Sequence, residues 1–305
     1  MPRDATMPSP EAVTEGAAET WRTRLAGWVP LDDPFALVGV AIYLVFILVA
    51  IFANELATHD PTEILFDANY NLASDLPPSR DFLLGTTALG RDVWSQLVLG
   101  SRSALLIGLT AAVMVVGIGT LVGLVAGYFG GLIDSVLMRL ADVAFGIPFL
   151  PFVIVLCAFL EPSLWNIVLS MALVLWCDIA RVIRSQVLTL RTRAFVEAAR
   201  VTGSSDLRIL FVHIAPNIMP LAVLYGSIAI GWAILTEASV SFLGFGDPTS
   251  ISWGYMLQDA YASQALSRGA YYWFVPPGIA IVLIVAAGFF IGRGYEEVLF
   301  PKLKD

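Results

Sequence analysis

Six long apolar segments constrain the fold of this sequence more than any other feature. A helix needs about 20 predominantly apolar residues to cross the hydrocarbon core of a bilayer. Backbone groups in lipid are satisfied only within helices or closed barrels, and these segments lack the alternation of barrel strands. The sequence therefore predicts an all-α, polytopic membrane protein with six transmembrane helices. The segments are Phe35–Ala53, Ala104–Ala126, Val143–Leu160, Leu164–Ala180, Ile214–Leu235 and Trp273–Ile291.

The bulk composition excludes an ordinary soluble domain. Hydrophobic residues make up 58% and charged residues 14% of the chain, and the mean hydropathy is +0.79. Soluble domains carry roughly 25% charged residues. Apart from one arginine-rich loop, no basic face suits a nucleic acid.

The third apolar segment contains two prolines, Pro148 and Pro151. Proline removes a helical hydrogen bond and bends or breaks a helix. Charged residues at helical spacing precede this segment. We therefore expect a partly exposed helical lead-in over Leu132–Asp142 and a bend near the prolines.

The distribution of Lys and Arg predicts the orientation in the membrane. With the N-terminus inside, only four of the 17 basic residues, Arg80, Arg91, Arg102 and Arg268, lie on the outer side. The reverse orientation would place an arginine-rich loop outside. We expect a multi-pass protein of the plasma membrane with both termini and residues 181–213 in the cytoplasm.

The loop between the first two segments is acidic, with seven carboxylates between Asn54 and Arg102. The whole chain has a formal net charge of −8 and few lysines. A salt-rich exterior and a genome that favours Arg codons both account for this composition, and the two explanations remain open.

The two cysteines, Cys157 and Cys177, are predicted to be free, buried thiols. At 1.5 Å per helical residue they differ in depth by roughly 15 Å. A disulfide requires Cα atoms within about 7 Å of each other.

Catalytic motifs are absent from the sequence. A phosphate-binding loop needs Gly-Lys followed by Ser or Thr, but Lys302 and Lys304 follow Pro301 and Leu303. Neither a His-Glu-x-x-His nor a G-x-S-x-G motif occurs. We expect no enzyme activity, no metal site and no cofactor in this chain.

One polar stretch near residue 200 has a distinctive spacing: Glu197, Ala198 and Ala199, then Gly203, then Pro216. Small alanines allow close approach of a helix to a partner, and Glu197 supplies a charge. Gly203 permits the left-handed conformation that ends a helix. Ser204, Ser205 or Asp206 can then cap a second short helix. Pro216 suits the start of the fifth span.

This stretch resembles the EAA loop of binding-protein-dependent ABC importers. Three other blocks resemble the second membrane subunit of the dipeptide/oligopeptide/nickel group of these importers. They are Leu84–Asp92, Ala126–Asp142 and Glu237–Leu257. The chain departs from the group at Thr87, where Asp is usual, at Ala215, where Leu is usual, and over residues 292–297.

The resemblance implies a type I (MetI-like) ABC importer permease fold, with a cytoplasmic EAA coupling helix at residues 197–216. The polar composition of residues 1–34 predicts a cytoplasmic tail that is partly disordered, and residues 35–100 are expected to form an anchor helix with an acidic extracellular loop. The permease domain would span 101–295, and a cytoplasmic tail 296–305. We read the first segment as a retained anchor, because no cleavage site for a signal peptide follows a short apolar core.

The function implied by the resemblance is ATP-driven import, with dipeptides or oligopeptides as the first choice of solute. Partners would be a homologous permease subunit, two cytoplasmic ATPases that bind the ATP, and an external solute-binding protein. Residues Ser239–Tyr272 would meet the binding protein, or would simply pack as a loop. Nickel or oligosaccharide import is an alternative. An ion-coupled secondary transporter is a competing class, but it does not need the EAA stretch.

Charged residues in or near the spans have two readings. Asp142, Asp178 and Glu237 would be costly in lipid, so they should face water or the bundle interior. They could line a translocation path, or they could be structural, either interfacial or paired with Arg139 or Arg181. Pairing is the favoured interpretation.

Overall fold

The computed structural model describes residues 33–67, 70–160 and 162–299, without the side chains of 296–299. The described part is helical apart from loops and two isolated β-bridges, Phe66 with Leu72 and Thr86 with Asp92. The predicted disorder of the first residues lies outside this part.

Twelve α-helices and one π-helix are described. They are α1 (Pro34–Ile51), α2 (Ala53–Leu56), α3 (Val93–Phe129), α4 (Gly131–Phe145), α5 (Phe149–Phe159), α6 (Leu164–Val174), α7 (Trp176–Leu190), α8 (Ala194–Val201), α9 (Asp206–Arg208), the π-helix (Ile209–Ile214), α10 (Ala215–Phe242), α11 (Trp253–Ala262) and α12 (Tyr271–Leu299).

Five helical segments of the described residues are long and apolar enough to cross a membrane. A sixth crossing results if α4 and α5, which meet at 80°, together form one span. Pro148 precedes α5, and Pro151 lies in its first turn, where a missing N–H is tolerated. The bend predicted near these prolines is confirmed. The five segments are Pro34–Ile51, Val93–Phe129, Leu164–Leu190, Asp206–Phe242 and Tyr271–Tyr295.

Several spans are longer than their apolar segments, and two of them begin well before those segments. Helix α3 begins at Val93, well before Ala104, because the Asp92 carboxylate accepts the Ser95 backbone N–H at 3.0 Å and caps the helix. The fifth span begins at Asp206, because α9, the π-helix and α10 form one continuous helix. Because hydropathy detects only the apolar part of a helix, it does not detect these more polar ends.

Glycines let α3 and α7 pack at close range. Gly119, Gly123 and Gly127 recur every fourth residue on α3. A methyl group on Gly123 would lie 2.6 Å from the Ala180 carbonyl oxygen, and one on Gly127 would lie 2.7 Å from Val187 Cβ. Small residues at this spacing are typical of helix pairs in membranes. The contact places the C-terminal end of α3 beside the end of α7.

Helix α3 runs from one end of the bundle to the other. Its 37 residues correspond to a length of about 55 Å. We call the end that carries residues 191–208 the EAA end, and the end that carries residues 54–92 the acidic-loop end. Ile183, Val196 and Leu210 belong to a core cluster that reaches the EAA end. Trp253 and Trp273 belong to a second cluster near the acidic-loop end.

Both cysteines are free and buried, as predicted. Cys157 packs in the core cluster that reaches the EAA end. Cys177 packs in a separate small cluster with Ala141 and Ala180.

Candidate coupling segment and membrane cavity

Helix α8 carries the EAA residues and has two distinct faces. Val196 and Ala199 are buried in the core cluster of the bundle. Glu197, Ala198 and Arg200 are exposed. Of the two alanines, therefore, Ala199 contacts the chain's own core and only Ala198 is available to a partner. Small size at Ala199 lets α8 lie close to its own bundle.

Exposed apolar side chains surround α8. Val201 is 87% exposed and Leu207 is 62% exposed, and Phe195, Phe211 and Val212 are also exposed. Large apolar side chains clustered beside polar ones are typical of a protein interaction surface. The EAA end therefore presents a mixed surface that suits a protein partner.

Gly203 ends α8 with a left-handed conformation, as predicted. Its φ is 79°, its N–H donates to the Arg200 carbonyl at 3.1 Å, and the Ser204 N–H donates to the Ala199 carbonyl at 3.0 Å. This pair of bonds is the Schellman motif. A side chain at Gly203 would meet no atom within 4 Å, so backbone conformation alone requires the glycine.

The end of α3 holds the coupling segment in place. The Tyr128 hydroxyl donates to the Asp206 carboxylate at 2.7 Å, and the Arg200 side chain also hydrogen-bonds Tyr128. Arg191 Nη1 donates to the Gly127 carbonyl at 3.0 Å. Sequence reasoning placed Tyr128 in a family block but assigned it no role. The pairing joins residues 78 positions apart, which no local pattern indicates.

Pro216 lies in the first turn of α10, directly after the π-helix. The wider turn there lets the Ala215 N–H bond the Leu210 carbonyl, five residues back. The Asn217 side chain donates to the His213 carbonyl at 2.6 Å. The helix thus passes Pro216, which has no N–H, without a break. π-Turns within α-helices are often found at functional sites.

Two ion pairs join α4 to α7. Arg184 binds both carboxylate oxygens of Asp134, and Arg181 binds Asp142 at 3.0 Å. The Arg181 guanidinium also lies 4.4 Å from the centre of the Phe145 ring. Of the three acids for which pairing was the favoured interpretation, only Asp142 pairs, with Arg181; among the described residues Asp178, Glu237 and Arg139 form no ion pair.

Glu237 is a buried link between α10 and α11. It is 2% exposed and accepts a hydrogen bond from the Ser241 hydroxyl at 2.6 Å, with a further one from the Ser252 side chain. The Ser252 hydroxyl also accepts the Tyr255 N–H and caps α11. These contacts place Glu237 in the bundle interior, near the acidic-loop end.

The segment Ser239–Tyr272 is partly core and partly surface. Trp253 is buried, and its indole N–H donates to the Leu97 carbonyl at 2.9 Å, with Gly100 against its ring. Phe242, Leu243, Tyr261, Leu266 and Tyr271 are exposed. Loop packing therefore explains the first group, whereas the second group remains available to a partner.

The departure at Thr87 preserves a backbone interaction. Thr87 is fully buried, and its hydroxyl oxygen accepts the Arg91 N–H at 3.1 Å. The carboxylate of an aspartate at this position can accept the same hydrogen bond from the Arg91 N–H. The turn between Thr86 and Asp92 is thus closed despite the substitution.

Charges at the acidic-loop end are held by neighbouring loops. Arg268 pairs with Asp75, which joins the loop after α11 to the acidic loop. Burial raises the pKa of Asp259 in α11, and the nearby positive charge of Arg91 opposes this shift. Hydrogen bonds from the Thr62 hydroxyl and N–H lower the pKa of Asp60.

A cavity of about 340 Å³ opens between helices of the bundle, and its lining is almost entirely apolar. Asp178 is the only charged residue in the lining that the structure describes. The other lining residues are Ala111, Val115, Phe149, Met171, Leu175, Ile179, Tyr225, Ile228, Ala229 and Trp232. The structure therefore separates the three acidic residues considered together in the sequence: Asp142 is paired, Glu237 is in the interior, and Asp178 faces a cavity.

The family description "Binding-protein-dependent transport system inner membrane component" matches residues 119–305, which is more than half of the chain. The chain belongs to this family. This permease is 34% identical over 296 residues to the oligopeptide transport system permease protein OppC of Bacillus subtilis (strain 168), covering 96% of this chain and 93% of the relative. It is 37% identical over 273 residues to the di/tripeptide transport system permease protein DppC of Pseudomonas aeruginosa (strain UCBPP-PA14), covering 88% and 89%.

A solved structure, titled "Inward facing conformations of the MetNI methionine ABC transporter", shares the fold. Its TM-score is 0.53 at 18% identity, and the match covers 67% of this permease and 96% of that chain. The permease is therefore the membrane-spanning component of an ATP-driven importer with a MetI-like fold. Among the described residues no group of His, Cys, Asp and Glu could hold a metal ion.

Proposed function

We propose that this permease imports dipeptides or oligopeptides and forms half of the translocation path beside a homologous subunit. The supporting observation is identity over nearly the full length to permease subunits named for oligopeptides and for di- and tripeptides. Nickel and oligosaccharides remain alternative solutes. An external binding protein delivers the solute, and the exposed residues of Ser239–Tyr272 lie where it would dock.

Two separate ATPase subunits drive the transport cycle. The exposed face of α8, with Glu197, Ala198 and neighbouring Val201, docks in a cleft of one ATPase. Because Val196 and Ala199 lie in the bundle core, a movement of α8 is passed directly to the spans. The ATPases bind the inward- and outward-facing states with different affinity, and this difference shifts the population between the two states. ATP is bound and hydrolysed by the partners and not by this chain.

The EAA end lies in the cytoplasm together with both termini. Arg191, Arg193, Arg200 and Arg208 cluster at this end, which agrees with the enrichment of basic residues on the cytoplasmic side. The acidic loop then lies outside. Residues 101–295 form the permease domain, and residues 35–100 form the anchor helix with its outer loop.

The test is ATP-driven uptake by the complex reconstituted in proteoliposomes. The complex contains this permease, its partner permease, both ATPases and the binding protein. Labelled dipeptides and oligopeptides are compared with nickel and oligosaccharides, and a complex with an inactive ATPase serves as the control. We expect uptake of peptides only, and only with active ATPase. Uptake of nickel or an oligosaccharide instead would reject the peptide assignment, and uptake without ATP would reject the mechanism.

A further inference from the structure

Asp178 occupies an unusual position for a carboxylate. It lies in α7, within the apolar helical segment Leu164–Leu190 and three residues before Arg181. Ionised side chains at such positions are expensive in lipid and are found facing a cavity or a partner charge. Asp178 is exposed, and it lines the cavity between the bundle helices.

The basic residues nearest to Asp178 on the same helix already have partners. Arg181 binds Asp142, and Arg184 binds Asp134. Asp178 itself has no ion pair within the described part of the chain. The remaining lining is made of apolar and aromatic side chains. The cavity therefore presents one negative charge on a wall that is otherwise of low polarity.

A lone carboxylate on such a wall is complementary to a cation. In a short peptide the charges of the two termini offset each other, so a net positive charge comes from Lys or Arg side chains. We propose that Asp178 is a specificity-determining residue, which binds the cationic side chain of a peptide in the translocation path and favours Lys- and Arg-containing peptides. This inference rests on the proposed peptide-import function and names a solute class for it.

The experiment measures initial uptake rates of two tripeptides, Ala-Lys-Ala and Ala-norleucine-Ala, by the complete complex in proteoliposomes. The two peptides have similar size and the same termini, and differ in one positive charge. The variant Asp178→Asn removes the charge with little change in shape, and Asp178→Glu retains it. We expect Asp178→Asn to lower the Lys-to-norleucine rate ratio by roughly three- to tenfold. Asp178→Glu should keep most of the wild-type ratio.

A second measurement does not depend on transport. Asp178→Cys is treated in the assembled complex with a membrane-impermeant thiol reagent, and the wild type, whose two cysteines are buried, gives the background. Labelling is expected, because residue 178 lines the open cavity. Absence of labelling would mean that Asp178 is covered by the partner subunit, and the inference would be overturned.

The outcomes separate the two proposals. Uptake of both peptides with an unchanged rate ratio in Asp178→Asn would overturn the role of Asp178 and leave peptide import intact. Uptake of neither peptide by the wild type would instead overturn the proposed function, and the peptide selectivity with it. A lower amount of assembled complex with Asp178→Asn would assign Asp178 to subunit pairing and also overturn the inference.

Discussion

At the scale of single residues, backbone conformation and single hydrogen bonds shape the coupling segment. Gly203 is needed for its positive φ and not for space, since no atom lies near its missing side chain. Tyr128 reaches Asp206 from the end of a different span. Sequence spacing was sufficient to find Gly203. It was insufficient for Tyr128, because its partner lies far away along the chain.

Replacement of Gly203 tests the left-handed turn. Gly203→Pro cannot adopt a positive φ and also loses the N–H bonded to the Arg200 carbonyl. We expect membrane insertion to be retained and ATP-driven uptake to be lost. Gly203→Asn is the control, because Asn tolerates the left-handed region and should retain most activity. Normal uptake by the Pro variant would contradict the assignment of this turn to coupling.

Removal of the Tyr128 hydroxyl tests the anchoring of the segment. Tyr128→Phe loses the hydrogen bond to Asp206, which is worth about 0.5–1.5 kcal/mol. We expect reduced uptake per ATP hydrolysed, with ATPase activity largely preserved. The measurement is the ratio of uptake to hydrolysis in proteoliposomes. The control is Phe129→Leu, a change at the neighbouring residue that leaves the Tyr128 hydroxyl in place. An equal loss in both variants would point to general packing.

At the scale of elements, the position of α7 depends on the glycines of α3. Close approach brings Arg181 and Arg184 within reach of the acids on α4, and Arg191 within reach of the α3 carbonyls. The repeat of Gly119, Gly123 and Gly127 is visible in the sequence and could have predicted a tight helix contact. Its partner helix could not be identified, because glycine spacing does not specify which helix approaches.

A larger side chain at Gly123 should separate α3 from α7. Its first carbon would lie 2.6 Å from the Ala180 carbonyl oxygen, so Gly123→Val forces a backbone shift. Overpacking of this kind costs about 1–3 kcal/mol. We expect a lower midpoint of thermal unfolding in detergent and less assembled complex. Gly117→Val is the matched control on the same helix, since a side chain there would meet no atom within 4 Å. Equal midpoints for the two variants would refute the role of this contact.

At the scale of the whole molecule, the two ends of the bundle differ in charge and in exposed surface. The EAA end presents Arg200 and Val201 around α8, and the acidic-loop end presents carboxylates and exposed aromatic residues. These ends should lie on opposite sides of the membrane. The distribution of basic residues predicts that the EAA end is the cytoplasmic one.

Cysteine labelling tests this orientation. Val201 is 87% exposed at the EAA end, and Tyr70 is 90% exposed in the acidic loop. An impermeant maleimide added to intact cells should label Tyr70→Cys and leave Val201→Cys unlabelled until the membrane is permeabilised. The wild type, with both cysteines buried, gives the background. The opposite labelling pattern would reverse the topology and place the coupling segment outside the cell.

The sequence alone determined the helical class, the apolar central part of most spans, the bend near Pro148 and Pro151, and the family. These features depend on local hydropathy, on proline chemistry and on residue spacing, which all operate over a few turns of helix. Only the tertiary structure decided which charges pair and which stay free. Asp142 meets Arg181, Glu237 is buried beside Ser241 and Ser252, and Asp178 is left facing a cavity. The physical reason is that ion pairing depends on which helices pack together, and residues about 40 positions apart in sequence meet only through that packing.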